Sequence, residues 1–223
     1  MFRNNKARVI ITSVITLLPM LLGVILWQKL PETVATHFGA NNEANGWSSK
    51  PFTVFAIPLI LLGLHLLCLF LTSFDPKSDN IGEKSKKLVF WIIPLTSVVI
   101  FTAIYANALG IKLDVGMICI IFMGVLYIVL GNFLPKTKQN HVFGVRLPWT
   151  LSDEENWNKT HRVAGFCMVI AGILAILTSF LRNFVLFMII TALAALIPII
   201  YSFVYYQKHR NDKKKDEENE KES

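Results

Sequence analysis

Charge is what this sequence has least of. Only 17% of its 223 residues are charged, while 53% are hydrophobic; a soluble domain carries roughly a quarter charged residues. The shortage is uneven. Charged residues gather into short segments with long apolar runs between them, which excludes one water-soluble core and marks membrane spans. Cysteine is also sparse. Cys68, Cys119 and Cys167 are odd in number and all fall inside apolar runs, so neither a disulfide framework nor a zinc site is expected. No internal repeat is evident. No small-x-small cleavage motif follows the first apolar run, Val9–Trp27, which continues into Gln28, Lys29, Leu30 and Pro31. An uncleaved first helix is expected there. The net charge of +7 does not point to nucleic acid, because no basic segment is interleaved with aromatics that would stack on bases.

What is present is a set of six apolar segments: Val9–Trp27, Phe52–Phe74, Leu88–Leu109, Val115–Leu134, Val163–Leu181 and Phe184–Tyr206. Each is near the ~20 residues that cross ~30 Å of hydrocarbon as a helix. The runs are continuously apolar, without the alternation of a membrane strand. The expected fold is an all-α integral membrane bundle of about six helices, its backbone satisfied within each span.

Basic residues alternate between the connections. The N-terminal segment, second and fourth loops and tail hold 18 Lys and Arg; the first, third and fifth loops hold 4. The positive-inside rule then predicts both termini in the cytoplasm. Pro19, Pro58, Pro94 and Pro198 lie within spans, where each can kink its helix. Three regions are expected: an N-terminal helix pair (1–74), a four-helix region (75–206) and a charged, disordered tail (207–223).

Two long polar connections carry the remaining information. In the first, QKLPETVATHFGANNEANGWSSK, Asn45-Gly46 is a turn signal, and Trp47 beside the second span suits the headgroup belt. His37, Gly46, Trp47 and Lys50 are the candidate contacts for an external ligand, if the loop forms an ordered cap and not merely an anchored turn. The second, PKTKQNHVFGVRLPWTLSDEENWNKTHR, follows Gly131-Asn132. Ser152 and Glu155 have capping-box spacing, predicting a short helix from about Asp153, with Trp157 and His161 on one face. An interfacial helix docked by Trp149 and Trp157, with Arg146 and Arg162 near phosphates, follows from this composition.

His141, Asp153, Glu154, Glu155 and His161 are metal-capable types, yet no HExxH-like spacing is present. A metal-dependent membrane enzyme is the weakest of three readings, and no cofactor is expected. Within the spans, His65 is the clearest ionisable residue and a functional candidate by default. With no acidic residue near it in its own span, it fits a hydrogen bond to a neighbouring helix as well as a role in a small transporter or exporter.

These two connections resemble the signatures of the SdpI-type proteins, the bacterial immunity proteins of the sporulation-delaying toxin system. LPETVATHFGANNEANGWSSK is similar to the first signature, with Asn45 in place of its usual acidic residue. The second signature is matched by Gly131, Asn132, Leu134, Pro135, Lys136, Asn140, Gly144, Arg146, Pro148, Trp149, Thr150, Leu151, Glu155, Trp157, Thr160 and His161. The resemblance spans nearly the whole chain except the charged tail. It implies a non-enzymatic multipass protein of the bacterial cell membrane that protects its producer from a secreted toxin peptide. It also implies a second role, in which the toxin-engaged protein holds a small DNA-binding repressor at the membrane. On that reading the docking surface for the cytoplasmic partner is drawn from Asn132, Pro135, Lys136, Asn140, Gly144, Arg146, Pro148, Trp149, Glu155, Trp157 and His161. Membrane lipid is the remaining expected partner, and no direct contact with nucleic acid is expected.

Overall fold

The computed structural model describes residues 5–39 and 42–222, with side chains as far as Arg210. Its helices are α1 (Lys6–Ile25), α2 (Ile57–Phe74), α3 (Glu83–Ala108), α4 (Val115–Phe133), α5 (Pro148–Ser152), α6 (Glu154–Ser179) and α7 (Phe184–Glu222). All but the five-residue α5 are long and apolar enough to cross a membrane. The outward faces are apolar too: Ile25, Phe166 and Val204 are 78%, 68% and 61% exposed. In water such surface would drive aggregation; in lipid it is the ordinary exterior of a bundle. The all-α membrane fold expected from the runs is the one the chain adopts.

The helices group into two triplets. In the first, α1, α2 and α3 pack together, and Leu30, Val34 and Val54 from the segment between α1 and α2 form a core with Phe101, Ile104 and Tyr105 of α3. In the second, α4, α6 and α7 pack around Ile120, Ala175 and Phe187. The seam between α3 and α4 is slighter than the α1–α3, α4–α6 and α6–α7 packing.

A feature the apolar runs did not reveal is a two-stranded antiparallel sheet in the first connection. Strand β1 (Thr33–Phe38) pairs with β2 (Ala44–Ser49). Asn45-Gly46 lies within β2, not at the turn; the chain reverses ahead of it, and Asn42 takes φ 60. Gly46 stands opposite His37 across an irregular register, and a Cβ there would come within 2.9 Å of the His37 Cβ. Gly46 is thus needed for strand contact and not for reversal.

Pro58 lies within the helical span that begins before α2. It falls in the first turn of α2, after a π-helical turn at Phe52–Ala56, where the wider turn tolerates its missing N–H. Pro19, Pro94 and Pro198 lie inside their helices. α6 begins nine residues before the apolar run does, so the expected short helix is continuous with the fifth span. Its cap is Asp153, whose carboxylate accepts from the amides of Glu155 and Asn156 at 2.9 and 3.1 Å. Ser152 instead donates to the Trp149 carbonyl at the end of α5. The charged tail from 207 onward, expected to be disordered, carries helical backbone as far as Glu222; its side chains beyond Arg210 lie outside those described.

Candidate functional site

The odd-numbered connections meet at one end of the bundle. Val34 is fully buried against the first triplet and seats the hairpin on it. The Asn42 side chain then reaches the α3–α4 connection, donating to the Leu113 carbonyl at 3.3 Å and accepting from the Gly116 amide at 3.0 Å. Asp114 caps α4 through the Met117 amide at 2.9 Å and pairs with Arg182 between α6 and α7 at 3.0 Å. Asn42 and Arg182 are the two described non-glycine residues with positive φ, conformations that persist only when surroundings hold them. Between them lies a cavity of about 410 Å³ with Lys112, Asp114, Ser179, Arg182 and Phe184 on its walls.

Of the four residues predicted to meet an external ligand, two are presented outward. Trp47 is 60% exposed. His37, also exposed, has its ring N–H directed at the Asn45 side-chain oxygen. Lys50 is only 6% exposed: it pairs with Glu32 at 2.8 Å and lies over the Trp27 ring at 5.2 Å. Lys50 therefore braces the base of the hairpin and is not offered to a ligand.

At the opposite end, residues 134–153 fold into a compact, internally satisfied loop. Trp157 and His161 share a face of α6, as their spacing implies, and their rings stack at 4.0 Å. Both are buried, at 0% and 1% exposure, because the loop is wrapped over them. The Trp157 indole donates to the Thr137 carbonyl at 2.8 Å. His161 donates from Nδ1 to the Trp157 carbonyl at 2.8 Å and accepts the Val145 amide at Nε2 at 3.0 Å, which fixes one neutral tautomer. Gly144, at φ +124, passes so close to this ring that any Cβ would collide with Nε2. Asn140 closes a turn by accepting from the Val142 and Phe143 amides and donating to Lys138 and Phe143 carbonyls. Thr150 links α5 back to Val145 and Leu147.

This arrangement revises the picture of an interfacial helix held by two tryptophans. Trp157 is an internal post. Trp149 docks on α7, donating to Ser202 Oγ at 3.0 Å and packing on Phe203 and Tyr206. Among the predicted docking residues, Asn132, Pro135, Lys136, Arg146, Pro148 and Glu155 are exposed, whereas Asn140, Trp157 and His161 are buried and shape the loop from within. The metal-capable side chains are dispersed: Asp153 caps, Glu155 pairs with Lys159 at 2.9 Å, His161 is enclosed, and His141 turns toward α2.

That turn toward α2 is the link sequence reasoning missed. Asp75, at the end of α2, accepts from the Lys77 amide at 2.8 Å, the His141 amide at 2.8 Å and His141 Nδ1 at 3.2 Å. Burial pushes its carboxyl up. The hydrogen bonds from Lys77 and His141 outweigh burial and hold it below the usual carboxylate range. Gln139 adds a second tie, accepting from Lys77 Nζ and, through its carbonyl, from Asn80. The loop thus fastens the first triplet to the second. Inside the membrane, His65 is fully buried with Nε2 3.0 Å from Thr12 Oγ1. The hydroxyl already donates to the Arg8 carbonyl, so it accepts from the ring. His65 faces protein and joins α2 to α1.

Two triplets of helices, tied at one end by a folded loop and at the other by a hairpin, define a six-span membrane protein without recognisable catalytic geometry among the described residues. Residues 136–202 match the model of the SdpI/YfhL protein family, and residues 14–62 match a domain of unknown function, DUF1648. The chain is similar to the immunity protein SdpI of Bacillus subtilis (strain 168), 32% identical over 206 residues that cover 89% of this chain and 96% of that protein. It belongs to the SdpI/YfhL family. No solved structure matches it.

Proposed function

We propose that this protein is a multipass immunity protein of the bacterial cytoplasmic membrane, protecting its cell from a secreted toxic peptide. The observation that carries the reading is the near end-to-end likeness to a protein named for immunity, which runs through both connections as well as the spans. The 18-to-4 distribution of basic residues supports placing the folded loop and both termini in the cytoplasm. The hairpin then faces outward, with Trp47 and the cavity beside Arg182 available to an arriving peptide. The loop faces the cytoplasm, with Asn132, Lys136, Arg146 and Glu155 turned to solvent. Sequestration of a cytoplasmic repressor is the second part of the proposal. The Asp75–His141 and Gln139 ties give it a physical route, since a shift of the first triplet would move the loop. Such signalling needs two arrangements of the bundle that differ in affinity for each partner.

The test is expression in a bacterium sensitive to a related toxin. Survival should rise over an empty-vector control and fall again with Trp47→Ala if the hairpin is where the peptide is met. Unchanged killing despite normal membrane levels would defeat the immunity reading. The orientation is checked separately by single cysteines at Ser49 and Lys138 in a background lacking Cys68, Cys119 and Cys167. An impermeant thiol reagent on intact cells should label position 49 and spare 138.

A further inference from the structure

A groove of about 590 Å³ opens between α2 and α3 at the loop end of the bundle, within the roughly 300–1,000 Å³ of small-ligand sites. Its two parts differ in chemistry. Along the spans it is walled by Leu71, Phe74, Val89, Ile92 and Ile93. At its mouth, where α2 ends, stand His141 and Arg146. The acid at this mouth, Asp75, is 6% exposed and both of its oxygens accept hydrogen bonds from the chain. It is therefore turned inward and does not oppose an approaching anion. Arg146 donates to the His141 carbonyl and is otherwise exposed, leaving guanidinium N–H groups free for a phosphate, which that planar fork suits.

We propose that this groove is a binding site for an anionic glycerophospholipid, one acyl chain lying between α2 and α3 and the phosphate at Arg146. The occupant follows from the polarity of the groove: apolar along the spans and cationic at Arg146 by the mouth, with the Asp75 carboxylate buried and hydrogen-bonded to the chain. The lipid would hold the loop against α2 at the Asp75 link. The inference rests on the membrane-spanning fold and not on immunity, so loss of protection in cells and loss of lipid binding in vitro are separable results.

The experiment uses full-length protein, delipidated in a neutral detergent and titrated with dimyristoyl phosphatidylglycerol or dimyristoyl phosphatidylcholine. The lipid-bound fraction is read by native mass spectrometry. The wild type should bind phosphatidylglycerol about tenfold more tightly, the scale of a charge-assisted hydrogen bond. Arg146→Gln should erase that preference, while Arg162→Gln, which removes an exposed cation outside the groove, should leave it intact. Ile92→Trp, which fills the groove, should weaken both lipids. Equal affinity of the wild type for the two lipids overturns the proposal without recourse to any variant. So does an equal loss with Arg162→Gln, which would reduce the effect to diffuse surface charge. Binding of free glycerol phosphate at the same affinity would show that the apolar wall contributes nothing, and would overturn it too.

Discussion

The first triplet of helices is joined by side chains that reach across, whereas the α4–α6 pair of the second closes on side chains that are missing. In α1–α3, Ser97 donates to the Thr16 carbonyl at 2.9 Å and His65 meets Thr12 at 3.0 Å, around an aromatic core of Phe101 and Tyr105. In α4 and α6, Gly124 lies against Gly172 and Gly131 against Gly165. A Cβ on any of the four would strike the carbonyl oxygen of its partner glycine. Lipid offers no hydrophobic force between helices, so close backbone approach and interhelical hydrogen bonds are the two available means of association. The α4–α6 pair relies on close approach and the first triplet on hydrogen bonds, while α6 and α7 add a hydrogen bond of their own, Asn156 Nδ2 donating to the Ser202 carbonyl at 3.1 Å. Hydrogen-bonded contacts tolerate small displacements, whereas backbone contact permits almost none.

The contrast is broken most severely by filling a glycine contact. Gly165→Val should separate α4 from α6 and cost at least the ~1–3 kcal/mol of an overpacked core, read as a large fall in thermal midpoint in detergent. Gly63→Ala in α2, where nothing lies within 4 Å of the added carbon, should leave the midpoint unchanged or slightly raised. Comparable losses at both positions would show that the α4–α6 contact is not what the valine disrupts. Trp157→Ala should come next, at about 3–5 kcal/mol for a buried tryptophan. The loop around residues 137–147 should become susceptible to protease while the spans persist. Protection of that loop in the variant would show that Trp157 is not its post.

Asp75→Ala should cost about 1–3 kcal/mol, because two His141 donors lose their acceptor, and should loosen the tie between triplets. The associated pH dependence has a definite sign. The folded Asp75 lies below its ordinary value of 3.8, so its stabilisation is fully present above that value and is lost as pH falls through the lower folded one. Wild type and variant should therefore converge in stability on acidification, and parallel curves would contradict the assignment. Smallest is Thr12→Val, which removes the acceptor of the His65 bond at about 0.6–2 kcal/mol. Immunity should survive it if His65 only joins two helices, and would be lost with the fold intact if His65 carried transport.

The spans were legible because lipid demands continuous apolar runs: the second matches the helical stretch Phe52–Phe74 to the residue. Ends were less legible. α6 begins among charged residues, since a helix that rises out of the bilayer no longer needs apolar side chains, and its cap fell to Asp153 because Ser152 was drawn into α5. Asn45-Gly46 misled because the strand pairing with His37 required the missing Cβ as much as a turn would. The motif marked out the loop, but which of its residues face outward depends on a wrap over Trp157 that local spacing does not encode. The glycine contacts could have been read. Gly124 and Gly131, like Gly165 and Gly172, stand seven apart, two turns along one helix face, a pattern easily lost in an apolar run.

Two glycine contacts on the same pair of antiparallel helices fix more than a distance. A single close approach would act as a pivot, leaving α4 and α6 free to swing like scissors. A second, two turns away, forbids the swing, and both coincide in only one register, so sliding is forbidden as well. The pair behaves as a keel. Movement within the α4–α6 pair is thereby closed off, which leaves the slighter α3–α4 contact as a place where the two triplets can shift against each other.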